Sequence, residues 1–255
     1  MLSKSQIDRL GERLREGHIS DDDLRMLDDY RRSFSEVYDL VVGTIQSELR
    51  LEPTGRPAKS TSSISEKLMR ESIRLTQIQD IAGCRIVVPD IFHQEKVLGQ
   101  LVTMFENSTL QDRRLRPSHG YRAVHIITHQ TGKTVEIQLR TLLQHTWAEL
   151  SEKMADVFDP SIKYGGGTDS LRKLLDGWSG IVKMEEDTET ALADTRSRIG
   201  VLLSRPSLSP ADQVELIDLQ ADVVEQLSEL NDRRAENLEA MKRIIDDFGN
   251  LRKGN

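Results

Sequence analysis

The strand-like run Thr134–Arg140, T-V-E-I-Q-L-R, sets a carboxylate, an amide and a guanidinium along one side of an extended segment. Side chains alternate along a strand, so Thr134, Glu136, Gln138 and Arg140 share one face and Val135, Ile137 and Leu139 the other. The apolar face can enter a core. The polar row can hold a metal and a phosphorylated ligand, or it can be the wet side of an ordinary sheet. In Asp80-Ile81-Ala82-Gly83-Cys84-Arg85 an acid stands ahead of a strand, and a glycine permits close backbone approach. Taken alone, Asp80 also fits a helix or turn cap. In Gly120-Tyr121-Arg122-Ala123-Val124-His125, Tyr121 and His125 are four apart on an expected extended segment, with small Ala123 between them. That is a platform for a stacked base, or a Tyr packed on a sheet. Just after the opening strand, His145 and Glu149 lie one helical turn apart.

Two carboxylates converging from neighbouring strands suit Mg²⁺ when substrate phosphates complete its shell, which makes Asp80 and Glu136 the candidate metal pair. Upstream, Arg56, Lys59 and Lys67 supply cations near a loop and a helix N-terminus, a natural polyphosphate site. Metal pair, phosphate cations and aromatic platform together point to phosphoryl-group chemistry on nucleotides.

Several elements must position these groups. The first fifty residues read as helical, with Ser20 as N-cap and Asp21-Asp22-Asp23 in the first turn of a helix carrying Leu24, Leu27, Tyr30, Phe34 and Val37. Leu51–Ser62 reads as a loop, followed by a helix from about Ser62 to Leu75. Arg85–Val88 is an expected strand and Phe92–Phe105 an expected helix. Arg122–Thr128 and Thr134–Arg140 are expected to pair as an antiparallel hairpin through His129–Lys133. Leu142–Val157 reads as a helix. A further helix capped by Thr168 carries Leu171, Leu174, Leu175, Trp178, Ile181 and Val182, and Arg205-Pro206-Ser207 interrupts it. Ser209-Pro210-Ala211-Asp212 opens a last helix. Its stripe from Leu216 to Phe248 suits an intramolecular packing face or an oligomer seam. The expected organisation is a helical segment at 1–50, a core at 51–165 and a helical extension at 166–255.

The chain has 255 residues with 35 basic and 42 acidic side chains, so the formal charge is 35 − 42 = −7. That balance speaks against general nucleic-acid affinity but leaves room for a local basic site. Cys84 is the single cysteine, so no internal disulfide can form, which suits a reducing cytoplasm; a buried strand thiol is its expected state. The N-terminus shows no apolar h-region, and no stretch approaches the ~20 apolar residues of a membrane span.

Four motifs, in order, carry a family resemblance: Lys59–Leu68 (K-S-T-S-S-I-S-E-K-L), Asp80–Arg85 (D-I-A-G-C-R), Gly120–His125 (G-Y-R-A-V-H) and Glu136–Thr141 (E-I-Q-L-R-T) with His145–Glu149 (H-T-W-A-E). Together they resemble the RelA/SpoT alarmone synthetase domain over about Glu52–Tyr164. The resemblance implies an α/β fold, a mixed sheet of nucleotidyltransferase type flanked by helices, with helical N- and C-terminal extensions. It implies transfer of pyrophosphate from ATP to the 3′-hydroxyl of GDP or GTP, releasing AMP. By the same resemblance Asp80 and Glu136 hold Mg²⁺, and Glu136 helps deprotonate the hydroxyl. Lys59 and Lys67 neutralise donor phosphates, with Arg85 and Arg56 at the adenine. Tyr121 stacks on the acceptor guanine, with Arg122, His125, Gln138 and His145 lining that side.

There are departures. Arg56-Pro57-Ala58-Lys59 stands where the family usually has Arg-x-Lys, and Arg113–His119 replaces its Pro-Lys before Gly-Tyr. Ala82 stands where many nucleotidyltransferases keep a second acid. None of the six histidines is followed by Asp, so the His-Asp motif of the family's hydrolase half is missing and a synthetase-only protein is expected. A homo-oligomer is expected by analogy with small relatives. Toxic relatives that pyrophosphorylate the 3′ end of tRNA, or make adenosine products, offer alternative acceptors; Arg113, Arg114 and Arg116 would then face RNA. A nucleotide-sensing module without turnover is a further alternative.

Overall fold

The computed structural model describes residues 2–253; Met1 and Gly254–Asn255, the outer ends of the expected helical segments, lie outside the described residues. Five strands form one mixed sheet in the order β1-β2-β5-β4-β3: β1 Thr54–Arg56, β2 Ala82–Val88, β3 Ser108–Asp112, β4 Val124–Gln130 and β5 Lys133–Thr141. Among the described residues eight α-helices accompany it: α1 Lys4–Glu16, α2 Asp21–Arg32, α3 Ser35–Leu49, α4 Thr61–Arg70, α5 Ile91–Met104, α6 Leu142–Val157, α7 Asp169–Leu203 and α8 Pro210–Lys253.

By its internal contacts the chain forms two units. One comprises the chain up to Val87 with Val97–Asp112 and Val124–Leu139; the other comprises Val88–Lys96, Arg113–Ala123 and the chain from Arg140 onward.

In the first unit, β4 and β5 pair antiparallel with Gln130 opposite Lys133. Only Thr131 (φ 49°) and Gly132 (φ 79°) lie between, both left-handed, the two-residue turn whose twist matches a hairpin. The register sets Val124, Ile126 and Thr128 opposite Leu139, Ile137 and Val135, and all six are fully buried. This is the expected apolar face of T-V-E-I-Q-L-R. Helix ends in this unit follow local chemistry: Ser3 with Gln6 and Ser20 with Asp23 form reciprocal capping boxes.

The second unit is helical. Thr141 caps α6 with Gln144 in a third such box. Helices α7 and α8 run antiparallel, since Arg198 pairs with Glu215 near their junction and Arg234 pairs with Glu185 further along. The later part of α8 reaches α6, where the Phe158 and Phe248 rings meet edge to face at 5.2 Å. Val223, Leu230 and Met241 of the α8 stripe are buried within the chain.

Several expected elements change. The loop expected over Leu51–Ser62 contains β1, where Gly55 lies so close to β2 that an added Cβ would sit 2.3 Å from the Gly83 carbonyl oxygen. The helix expected to reach Leu75 stops at Arg70. Glu71 is extended (φ −112°, ψ 135°), and Arg15 Nε donates to the Leu68 carbonyl at 2.8 Å, a cap supplied from far along the chain. Strand β3 has no counterpart among the expected strands. The strand expected from Arg122 starts at Val124, because His119 (φ 51°) and Gly120 (φ 82°) make a tight turn just before it. Tyr121 therefore precedes the strand that carries His125. Helix α7 runs to Leu203 and stops at the expected Arg205-Pro206-Ser207 interruption.

Candidate active site

The polar face of the sheet is assembled by register. Opposed residues of an antiparallel pair point the same way, so Arg56 beside Gly83 and Thr54 beside Arg85 put Arg56 and Arg85 on one face. A Cβ on Gly83 would lie 3.6 Å from that of Glu136, so the missing side chain gives the Glu136 carboxylate room. On the other flank His125 stands opposite Gln138. Arg56, Arg85, Glu136, Gln138 and His125 thus share a face.

Glu136 is fixed by its neighbours. His125 Nδ1 lies 2.8 Å from Oε1, and Gln138 Nε2 donates to Oε2 at 2.7 Å. Burial pushes this carboxyl up, but His125 and Gln138 outweigh burial and the nearby Asp80 charge, and hold it below the usual carboxylate range. Asp80 is claimed on both oxygens: Lys59 Nζ reaches Oδ2 at 2.5 Å and Lys67 Nζ reaches Oδ1 at 3.0 Å. Burial again pushes up, and the two ammonium groups more than reverse it.

Lys59 is placed by its backbone, whose N–H donates to the Ile81 carbonyl at 2.7 Å and whose carbonyl accepts from Arg31 Nε at 2.7 Å. Lys67 projects from α4, whose N-terminus is capped by Ser60. Cys84 is buried and faces away from this row; burial and the Glu136 charge push its thiol up to about 12, so it stays protonated and inert.

Both acids are ionised at neutral pH and electrostatically coupled, and their oxygens suit a hard divalent cation. Among the described residues no three His, Cys, Asp or Glu side chains gather as a metal-binding group. A cation held by this pair would therefore draw its remaining ligands from water or phosphate.

The second unit holds the other expected site residues. Tyr121 closes the His119-Gly120 turn, with reciprocal backbone hydrogen bonds to Ser118 of 3.3 and 2.9 Å. Its hydroxyl accepts from Arg140 Nη2 at 3.0 Å, and the same guanidinium lies 5.1 Å from the ring centroid. A cavity beside the ring is lined by Arg140, Trp147, Ser151, Glu152 and Lys163. His145 faces Glu149 at 3.4 Å. Arg122 is buried: its Nε and Nη2 grip the Glu186 carboxylate at 3.0 to 2.5 Å, and Nη2 also donates to the Arg114 carbonyl.

The structure thus gathers Arg56, Lys59, Lys67, Asp80, Arg85, His125, Glu136 and Gln138 in one unit, and Tyr121, Arg122 and His145 in the other. Glu186 and Ser179 escaped the sequence reading. Their only local signal is that they continue a helical stripe of buried positions, Leu175, Ser179, Val182 and Glu186.

Residues 55–155 match the family described as the region found in RelA / SpoT proteins. This segment is a RelA/SpoT region. An uncharacterized protein of Mycobacterium tuberculosis is 37% identical over 134 residues, covering 51% of this chain and 49% of its own length. GTP pyrophosphokinase YjbM of Bacillus subtilis is 32% identical over 135 residues, 48% of this chain and 61% of its own. The chain thus spans about half to three-fifths of these curated relatives. Among solved structures, the small alarmone synthetase 1 of Bacillus subtilis bound to its product pppGpp aligns with TM-score 0.50 and 24% identity over 69% of this chain and 98% of that one; the likeness is one of fold. The RelA/SpoT region begins within β1 and ends within α6, so it contains the Asp80 and Glu136 clusters and the Tyr121 turn, but none of α7 or α8.

Proposed function

We propose that the chain is an alarmone synthetase, moving a pyrophosphoryl group from ATP to the 3′-hydroxyl of GDP or GTP and releasing AMP. The observation that carries this reading is a pair of carboxylates in electrostatic reach of each other, Glu136 on the polar sheet face and Asp80 in the turn before β2, with two lysines held at Asp80 and a histidine and an amide held at Glu136. The relative named GTP pyrophosphokinase and the fold shared with a pppGpp-bound synthetase support it.

Asp80 and Glu136 would hold Mg²⁺, which when bound supplies charge neutralisation at the phosphate oxygens. Lys59 and Lys67 now neutralise Asp80. An incoming donor polyphosphate offers them denser negative charge, so they would turn to it and leave Asp80 free to bind metal. Arg56 and Arg85, side by side, would flank the donor base. Glu136 would accept the proton of the attacking hydroxyl, with Gln138 and His125 fixing its orientation. Tyr121 would receive the acceptor base. Little covalent chemistry falls to the protein in such a transfer; alignment and electrostatics carry it.

The test is an acceptor screen. Purified chain, Mg²⁺ and ATP labelled in its β- and γ-phosphates are incubated in parallel with GDP, GTP, adenine nucleotides and tRNA. Label is expected in a 3′-pyrophosphorylated guanosine nucleotide. Label on tRNA or an adenosine nucleotide alone would move the assignment to that acceptor, and no transfer at all would remove the enzymatic reading.

A further inference from the structure

Three glutamates of α7 are buried or nearly so, and each is answered by a specific partner within the second unit. Glu185 accepts from Asn237 Nδ2 at 2.8 Å and faces Arg234 of α8 at 3.3 Å. Glu189 accepts the Ile91 backbone N–H that opens α5 and pairs with Arg234. Glu186 takes Arg122, and its Oε1 also accepts from Gln144 Nε2 at 2.8 Å. Gln144 in turn accepts from Gln94, which accepts from Arg114 Nη1 at 3.1 Å. The network brackets the His119–Arg122 turn from both sides.

That turn needs holding. His119 has a left-handed backbone without being glycine, which persists only where the surroundings over-determine it. Ser179 Oγ donates to the Gly120 carbonyl at 2.8 Å. A Cβ at Gly120 would lie 2.9 Å from Trp147 and 3.2 Å from Ser179, so the turn is pressed directly onto α6 and α7. One residue past Tyr121, Arg122 is anchored to Glu186. The aromatic side chain is therefore flanked by two attachments to a helix outside the RelA/SpoT region.

We propose that Glu186 and Ser179 are positioning residues for acceptor binding: α7, a helix of the C-terminal extension, sets the affinity for the acceptor nucleotide by fixing the turn that carries Tyr121. The inference rests on the reading of Tyr121 as the acceptor-base platform. It gives the C-terminal helices a task in substrate selection and makes acceptor affinity sensitive to whatever binds or displaces α7.

The experiment is calorimetric titration of the full chain with GDP and, separately, with a non-hydrolysable ATP analogue. Glu186→Gln keeps the shape of the side chain but loses its charge. It is expected to weaken GDP binding about tenfold and leave the ATP analogue unchanged, with the same split between the two KM values. Ser179→Ala is expected to give roughly a threefold loss in the same direction. Should Glu186→Gln fail to fold, Arg122→Met/Glu186→Met replaces the pair by apolar groups of similar length that fold without a buried charge, and the same selective loss is expected. Wild-type protein that binds GDP, with folded variants that bind it equally well or lose both nucleotides alike, overturns the proposal. Wild-type protein that binds no guanine nucleotide overturns the acceptor reading itself, and this inference with it.

Discussion

Asp80 and Glu186 are both carboxylates met by two basic or amide groups, yet they do different work. The side chains at Asp80, Lys59 and Lys67 are 17–21% exposed, and among the described residues Asp80 is the group that holds both lysine heads. Arg122 and Glu186 are 8% and 10% exposed, joined by three short contacts and tied into Gln144. The first cluster is solvated enough for its lysines to exchange partners, as the proposed donor binding requires. The second cannot open without stranding a buried charge. A carboxylate with basic partners thus makes a partly solvated ion pair in one unit and a buried brace in the other, and the degree of solvation separates them.

Substitutions can break that contrast. The largest effect is expected for Glu136→Gln, which keeps shape and folding but loses the proton acceptor; product formation should fall about a thousandfold with the melting temperature nearly unchanged. Arg122→Ala should act on the other axis and lower stability by about 3 kcal/mol in denaturant titration, because Glu186 is left buried and unpaired. If Arg122→Ala proved as stable as wild type, the brace would be no brace. Asp80→Asn sharpens the comparison further. Turnover should drop about a hundredfold, while metal-free ATP binds at least as tightly, because Lys59 and Lys67 no longer have a carboxylate to satisfy. Weaker ATP binding in this variant would show that the lysines do not exchange partners.

The pH dependence follows from the same clusters. Asp80 and Glu136 both titrate below the ordinary carboxylate range, so activity should hold through mildly acidic pH and fall only as pH drops through those lowered values. The smallest effect belongs to Asp23. Arg13 and the Ser20 cap draw its carboxyl down to about 2, so its stabilising contribution is complete above the unfolded value near ~4 and is lost as pH falls through about 2. Asp23→Asn should cost about 1 kcal/mol at neutral pH, with the difference vanishing in acid denaturation curves.

What could be read beforehand follows physical range. The alternation in T-V-E-I-Q-L-R, the Ser20 and Ser209 caps and the β4–β5 hairpin are local, and each appears as expected, except that the turn expected over His129–Lys133 tightens to Thr131-Gly132. Strand β1 hid among prolines and glycines because three residues suffice when a neighbouring strand supplies the pairing. Strand β3 hid because Thr109 and Leu110 are exposed on an edge and leave no burial pattern. Asp80 and Glu136 were legible as an acid pair, whereas the lysine clamp on Asp80 depends on contacts 13 and 21 residues apart. Arg122 reads as a ligand group in its motif; its partner lies 64 residues away in K-M-E-E-D, a stretch that looks solvated until the fold buries it.

The proposed role of Asp80 and Glu136 is the transfer of an intact pyrophosphoryl unit. Its most direct test is the stoichiometry of a reaction containing the chain, Mg²⁺, ATP and GDP, followed by quantitative chromatography of every phosphorylated species. The account predicts one AMP for each 3′-pyrophosphorylated guanosine product, with both vanishing together in Glu136→Gln. ADP with orthophosphate, or AMP without a pyrophosphorylated acceptor, would contradict it.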